Sequence, residues 1–305
     1  MRTRDAIEDG HGRANLGLAL VVLGAMAFGF RPLFARLAFA GGLSPEVAGL
    51  LMLGPTALAC LPATLRSLAG EPAPGSRKLV VWALVAGVFL AVGNLAYLHA
   101  LRTLTVATTT LIYFSYPLFV VLLGWLLIGA RVSPRTMAAV ALIAFGCMLI
   151  LSPGSWSVAD LPAILACFLA PVSYAALLLL LWRKLTSLPL MARVGWLSLG
   201  ATLVLLPASG RELAAMGGLD GAGWIGASGL VVICGFLPQV LTTVGVPMAG
   251  PDRAAIGGVT ELVTSLALGW LMLREEPSGL EITGAAAILS AVLLVRGERA
   301  RAGRA

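Results

Sequence analysis

Long apolar runs separated by short polar breaks organise the whole chain. About 20 consecutive apolar residues make one membrane-crossing helix. On that measure the pattern predicts ten spans, over residues 16–39, 47–65, 79–101, 106–128, 135–151, 161–182, 190–206, 224–244, 254–273 and 280–295. The breaks between them carry turn chemistry: Gly41-Gly42-Leu43-Ser44-Pro45, Glu71-Pro72-Ala73-Pro74-Gly75, Ser152-Pro153-Gly154 and Gly217-Gly218-Leu219-Asp220-Gly221. The first fifteen residues are polar and of mixed charge. The apolar run after them exceeds the roughly 7–15-residue core of a secretory signal and is followed by no small-residue cleavage site, so it is expected to be a retained first span.

Composition makes lipid the solvent for these runs. Hydrophobic residues form 59% of the 305-residue chain and charged residues 11%, with a mean hydropathy of +0.96. Soluble domains hold roughly 45–50% apolar and about 25% charged residues, and a compact water-soluble fold has too much surface to hide the excess. The charge of +7 is not a nucleic-acid footprint, because the basic residues are scattered through short breaks and the C-terminus. Counted break by break, Arg2, Arg4, Arg13, Arg66, Arg77, Lys78, Arg131, Arg135, Arg183, Lys184, Arg193, Arg253, Arg296, Arg299, Arg301 and Arg304 fall on one side. Arg36, Arg102, Arg211 and Arg274 fall on the other. Such a bias marks the cytoplasmic face, so both termini are expected there and the protein in the cell membrane. Trp82, Trp182, Trp196 and Trp224 fall near predicted span ends, where indoles favour the interface. Cys60, Cys147, Cys167 and Cys234 sit singly in apolar runs and read as packing residues rather than as a metal or disulfide set.

An internal repeat is visible. A shift of 145 positions brings Gly124-Trp125-Leu126 onto Gly269-Trp270-Leu271, Ser133 onto Ser278, Ala141 onto Ala286 and Ile143 onto Ile288. Segments separated by five spans cross the membrane in opposite directions, and inverted repeats of this kind build secondary transporters with a site near the midplane. The expected fold is therefore an all-α membrane protein of ten transmembrane helices in two inverted five-helix repeats. Its parts are a cytoplasmic tail at 1–15, a first repeat at 16–151, a second at 152–296 and a basic tail at 297–305.

Three segments carry a family resemblance: Phe28-Gly29-Phe30-Arg31-Pro32-Leu33-Phe34; Tyr113-Phe114-Ser115-Tyr116-Pro117-Leu118-Phe119 leading to Leu127-Ile128-Gly129; and Thr260-Glu261-Leu262 leading to Leu273-Arg274-Glu275 and Gly284. With these the chain resembles the drug/metabolite transporter superfamily, specifically its ten-helix EamA type. Members of that family show an apolar–Glu–Pro pattern in spans 4 and 9 and then Leu-Gly-Glu. Here Tyr116 stands at the first glutamate position, Leu262 replaces the second proline, Ala130 replaces the first Leu-Gly-Glu carboxylate and Arg274 the second glycine. The resemblance implies export of amino acids, other metabolites or drugs, and a central cavity among spans 1, 3, 4, 6, 8 and 9.

A charge inside the hydrocarbon costs about 2.5–3.5 kcal/mol and marks a functional candidate. Glu261 lies roughly eight residues, or ~12 Å, from the cytoplasmic end of its span. Gly257, Gly258, Thr264 and Ser265 share or flank its face. It either contacts a cationic substrate group, titrates as a proton-coupling carboxylate, or is a structural carboxylate paired with Arg31 or bonded to span 4. Arg31 precedes Pro32, which should kink the first span, and its side chain reaches inward to Glu261 or snorkels outward. Tyr97, Tyr113, Tyr116 and Tyr174 are all the tyrosines of the chain. The i,i+3 pairs Tyr113/Tyr116 and Asn94/Tyr97 each share a face, and their polar groups should turn to the bundle interior as cavity walls or interhelical links. His99 and Gln239 are further candidate cavity liners.

With two histidines and no GxSxG, HExxH or phosphate-cradling motif, neither an enzyme nor a cofactor or metal site is expected. The expected activity is a secondary transporter, an exporter of small organic metabolites working by alternating access. Its partners are a small-molecule substrate, the bilayer and protons as coupling ion, with no nucleic acid, and the state is a monomer or homodimer. A non-transporting scaffold or complex subunit, or a passive facilitator, is the competing reading.

Overall fold

The computed structural model describes residues 2–69, 76–129, 133–150, 157–185, 187–210, 212–249, 251–276 and 278–302. Among these residues every regular element is helical. The first half contains α1 (Arg2–Gly29), α2 (Arg31–Ala40), α3 (Pro45–Ala69), α4 (Ser76–Thr103), α5 (Val106–Tyr113), α6 (Tyr116–Ile128) and α7 (Pro134–Ile150). The second contains α8 (Leu161–Cys167), α9 (Leu169–Lys184), α10 (Leu190–Ser209), α11 (Gly221–Gly229), a π-helical stretch (Leu230–Phe236), α12 (Leu237–Ala249), α13 (Pro251–Leu271) and α14 (Gly279–Ala302). Among the described residues, seven segments are long and apolar enough to cross a membrane: Gly12–Ala40, Pro45–Ser67, Arg77–Thr103, Val106–Leu127, Val158–Leu181, Leu190–Ser209 and Gly221–Ala249. Two shorter apolar helices run over Thr136–Leu149 and Gly279–Ala291. The protein is a multi-pass membrane protein.

Several spans are broken, and the breaks have a common cause. Proline lacks an N–H, so the carbonyl four residues earlier loses its donor. For Pro32, Pro117 and Pro171 those carbonyls belong to Phe28, Tyr113 and Cys167. The helices stop at Gly29, Tyr113 and Cys167 and restart at Arg31, Tyr116 and Leu169. Pro238 is the second residue of α12, just after the π-helical stretch, whose Cys234 stands in the same relation to it. The break before Pro32 is the expected kink. The other three depart from the expectation of unbroken spans, and α1 continues back to Arg2. The turn sequences at 71–75 and 152–154, the side chain of Trp182 and those of the basic C-terminal residues lie outside the described residues.

Small residues let the helices approach closely. A Cβ on Gly24 of α1 would lie 2.9 Å from Thr242 Cγ2 of α12, and one on Gly257 of α13 would lie 2.8 Å from Val21 of α1. With Gly17 against Met248 and Gly29 against Thr264, α1 runs antiparallel to α12 and parallel to α13. On the other side of the bundle, α10 packs along α3 and α4, α4 along α9, and α7 along α14. Trp224 is exposed and Trp82 carries Lys184 Nζ 5.6 Å over its ring, as interfacial indoles do. Trp196 departs from that reading: it is buried, and its Nε1 donates to Ser67 Oγ at 3.1 Å. Cys147, Cys167 and Cys234 are buried, and Cys60 is partly so.

Candidate functional site

The break at Phe30 builds one wall of the site. It ends α1 on Gly29, where any Cβ would meet Thr264 Cβ at 2.6 Å and Glu261 O at 2.9 Å. Glycine there lets α1 lie directly on the turn of α13 that carries Glu261. The Gly29 carbonyl accepts a hydrogen bond from Ser265 Oγ at 3.2 Å, which answers part of the backbone disruption at the break. Arg31 then opens α2 as a buried residue, with Nη2 3.7 Å from Glu261 Oε1. At that length the pair is ionic contact without a formed hydrogen bond.

The second break, at Phe114 and Ser115, gathers the tyrosines. Tyr113 ends α5 and Tyr116 starts α6, with ring centroids 6.0 Å apart. Tyr97 stands 5.5 Å from Tyr113, Tyr174 stands 5.5 Å from Tyr113, and Tyr116 meets Tyr174 edge-on at 4.9 Å. All four tyrosines form one interior cluster. Tyr97 is fully buried, its hydroxyl 3.1 Å from Thr110 Oγ1, and its ring lies under Arg31 with Cζ 3.9 Å from the centroid. Tyr113 offers a second ring at 5.1 Å. These rings hold the guanidinium plane by cation–π contact.

A cavity of about 940 Å³ opens between the two halves. Its deep end is lined by Arg31, Glu261, Tyr113, Tyr174, Asn94 and Ser198. From there it runs past Gln239 to Leu181, Leu190, Arg193, Val246 and Pro247, the end of the bundle that also holds the start of α1. Six of the nine residues singled out from sequence therefore line one cavity: Arg31, Glu261, Tyr113, Tyr174, Asn94 and Gln239. Tyr97 and Tyr116 stand behind that lining, as supports for Arg31 and for the other rings. His99 does not reach it. Its Nε2 lies 2.8 Å from Glu46 Oε1 at the opposite end of the bundle, half exposed. Among the described residues no cluster of His, Cys, Asp or Glu has metal-binding spacing.

Sequence reading missed three participants. Ser198 and Arg193 of α10 line the cavity, yet a serine among glycines and a basic residue near a span end carry no distinctive signal. The third is a polar cluster at the opposite end. Arg36 Nη2 donates to Leu104 O at 2.6 Å and lies 3.4 Å from Glu275 Oε1. Both Glu275 oxygens accept from Val106 N at 2.9 Å, so the carboxylate sits on the positive end of α5. Beside it, Glu281 accepts from Thr105 Oγ1 at 3.2 Å and from Ser278 N at 3.0 Å. The cluster ties α2, α5 and the loop after α13 together. Its carboxylate, Glu275, lies in a segment already singled out by its motif.

With this geometry in place, likeness to other proteins adds a family. The sequence model of the EamA-like transporter family matches twice, over residues 15–152 and 161–297. The pseudopaline exporter of Pseudomonas aeruginosa is 25% identical over 219 residues, which are 72% of this chain and 75% of that protein, and the version from a second strain matches equally. A solved crystal structure superposes with a TM-score of 0.57 at 18% identity, covering 93% of this chain and 96% of the other, a likeness of fold alone.

Proposed function

The chain belongs to the EamA-like transporter family, and on that footing we propose that it is a secondary transporter exporting a small organic metabolite by alternating access between two inverted five-helix halves. Seven long apolar segments, two shorter ones and α13 make ten crossings. The bias of basic residues puts both termini and the mouth of the cavity in the cytoplasm.

The observation that carries this reading is the contrast between the two ends of the cavity. At the cytoplasmic end it reaches partly exposed residues such as Arg193 and Val246. At the other end, Arg36, Glu275 and the start of α5 form a polar latch. A cytosolic solute enters to Arg31 and Glu261, and release needs the latch to part while the cytoplasmic helices close. Breaking charge-assisted hydrogen bonds at one end while making contacts at the other is a two-state switch of the kind alternating access requires.

Glu261 is the acidic group among the described cavity-lining residues, and it is the proton-coupling candidate: protonation weakens its hold on Arg31 and changes the charge of the site in one step. Export by the Pseudomonas relative supports the outward direction. Cells overexpressing the chain should gain resistance to at least one toxic amino-acid analogue or drug, and purified protein in liposomes should release that compound faster when a pH gradient is imposed. Reconstituted protein that moves nothing would be a scaffold. Flux indifferent to the gradient would make it a facilitator.

A further inference from the structure

We propose that Tyr97 is a positioning residue that couples the cavity to the latch. Its ring pins Arg31, and that pin decides whether the short helix α2 keeps Arg36 in the latch or withdraws it. The inference rests on the transporter reading and supplies the link between the two ends of the molecule that alternating access needs.

Three observations carry it. First, α2 reaches both places. Arg31 opens the helix at the deep end of the cavity. Arg36, ~7.5 Å further along the axis, donates to Leu104 O at 2.6 Å and lies 3.4 Å from Glu275 Oε1. The helix is ten residues long and closed by its own hydrogen-bond ladder, so a displacement of its start is passed to Arg36.

Second, both contacts are anchored on one face of α4. Tyr97 and Leu104 are two helical turns apart, and Leu104 continues the last turn of α4 through its N–H bond to Ala100 O at 2.8 Å. The Tyr97 ring lies 3.9 Å under Arg31 Cζ, and the Leu104 carbonyl receives Arg36. α4 runs unbroken over 28 residues and is the fixed frame. Tyr97 cannot follow Arg31 away from it, because the side chain is fully buried and its hydroxyl is tied to Thr110 Oγ1 of α5 at 3.1 Å.

Third, α2 has a pivot. Pro32 gives no N–H to Phe28 O, and the ladder is interrupted at Phe30. On its other side α2 is seated on α11, where a Cβ on Gly226 would lie 2.7 Å from Phe34 O, so the two helices move as one body. α11 ends in the π-helical stretch Leu230–Phe236, a second interruption of the ladder, and beyond it α12 carries Val246 at the cavity mouth. While Arg31 rests on Tyr97 the latch holds. A ligand that draws Arg31 off the ring tilts α2 about Phe30, and Arg36 leaves Leu104 and Glu275.

The test reads the two ends separately with an impermeant maleimide on full-length protein. Val246→Cys reports the cytoplasmic mouth in inside-out vesicles. Val106→Cys, at a fully buried position in the latch, reports the opposite end in right-side-out vesicles. Tyr97→Leu removes the ring and should slow the first reaction and speed the second, each about threefold, the scale of one cation–π contact. Arg31→Gln removes the other partner and keeps the ring, and should shift both reactions the same way. Tyr97→Phe loses only the tie to Thr110, so its shift should be smaller and in the same directions. Both reactions speeded together would mean general loosening and a packing role for Tyr97, which overturns the proposal. So do rates left at the parental values. If Tyr97→Leu yields no folded protein, Arg31→Gln decides by the same criteria. Labelling reports the state of the two ends and not flux, so the coupling can fail while liposome flux upholds the transporter reading.

Discussion

The two segments that a shift of 145 residues superposes, α5–α6 and α13, resemble each other at their ends and differ in their middles. Position 129 is glycine in the left-handed region, φ +65°, and its counterpart 274 adopts the same backbone, φ +55°, with arginine. In the middle, Tyr116-Pro117 faces Glu261-Leu262. Proline breaks the first segment into two helices around an aromatic cluster, whereas leucine keeps α13 continuous from Pro251 to Leu271. Each solution suits its cargo of side chains. The break lets Tyr113 and Tyr116 turn their rings together beside Tyr174. The straight helix holds a partly buried carboxylate beside Arg31. The first segment thus supplies Tyr113 and Tyr116 to the aromatic cluster, and the second supplies the carboxylate that faces Arg31. The same division recurs just past the helix ends, where Glu275 caps α5 and its counterpart in sequence is Ala130.

The largest expected effect comes from neutralising the carboxylate of α13. Glu261→Gln keeps size and hydrogen bonding but leaves Arg31, almost wholly buried, without its counter-ion. Flux in proteoliposomes should fall to the protein-free background, while helix content and yield stay near the parent. Parental flux from that variant would show that the carboxylate of α13 is structural and that the contrast between the two middles has no functional meaning.

Much of this contrast was legible in the sequence, for physical reasons that also set its limits. Glu261 and Arg31 stand out because a charge in an apolar run is expensive, so either predicts a cavity or a partner, and they proved to be each other's. The tyrosines could be sent inward because a hydroxyl at mid-depth needs company. The break at Phe30 followed from Pro32. Those before Pro117, Pro171 and Pro238 did not, because proline alone is an insufficient signal: Pro55, Pro62 and Pro207 sit inside unbroken helices. Arg36 and Glu275 are 239 positions apart, and nothing local marks them as partners. His99 shows the reverse failure. A histidine near a span end reads as a possible cavity group, but Glu46, 53 positions away, holds it at the other end of the bundle.

A smaller effect should follow from disturbing the seat of the α13 carboxylate. Gly29→Ala places a Cβ 2.6 Å from Thr264 Cβ and 2.9 Å from Glu261 O, so α1 and α13 must separate. Overpacking of this kind costs about 1–3 kcal/mol. The separation should also loosen the Arg31–Glu261 pair, so half-maximal flux should need more substrate while the maximal rate falls less. A lowered melting temperature with unchanged flux would mean that the pair tolerates displacement and is not positioned by Gly29.

Weaker again is the latch. Glu275→Ala removes the cap on Val106 N, worth about 1 kcal/mol, and a part-exposed ion pair worth at most about another. Its loss should favour the state open at the latched end. A reporter cysteine at Val246, a half-exposed lining residue at the cavity mouth, should then react more slowly with an impermeant maleimide applied to inside-out vesicles. Equal labelling with and without the carboxylate would make the cluster a static cap.

The smallest effect tests whether the ends of the two segments are equivalent. Arginine at φ +55° bears a left-handed penalty of about 1–2 kcal/mol that glycine at 129 avoids. Arg274→Gly relieves it, but glycine adds freedom to the unfolded chain that offsets about 0.5–1 kcal/mol of the gain. The net is a stabilisation of at most about 1.5 kcal/mol, read as a small rise in the melting temperature of the detergent-solubilised protein. Flux should be unaffected, because Arg274 is not among the residues lining the cavity. A fall in melting temperature would show that the side chain contributes more than its backbone costs, and positions 129 and 274 would then share a conformation for different reasons.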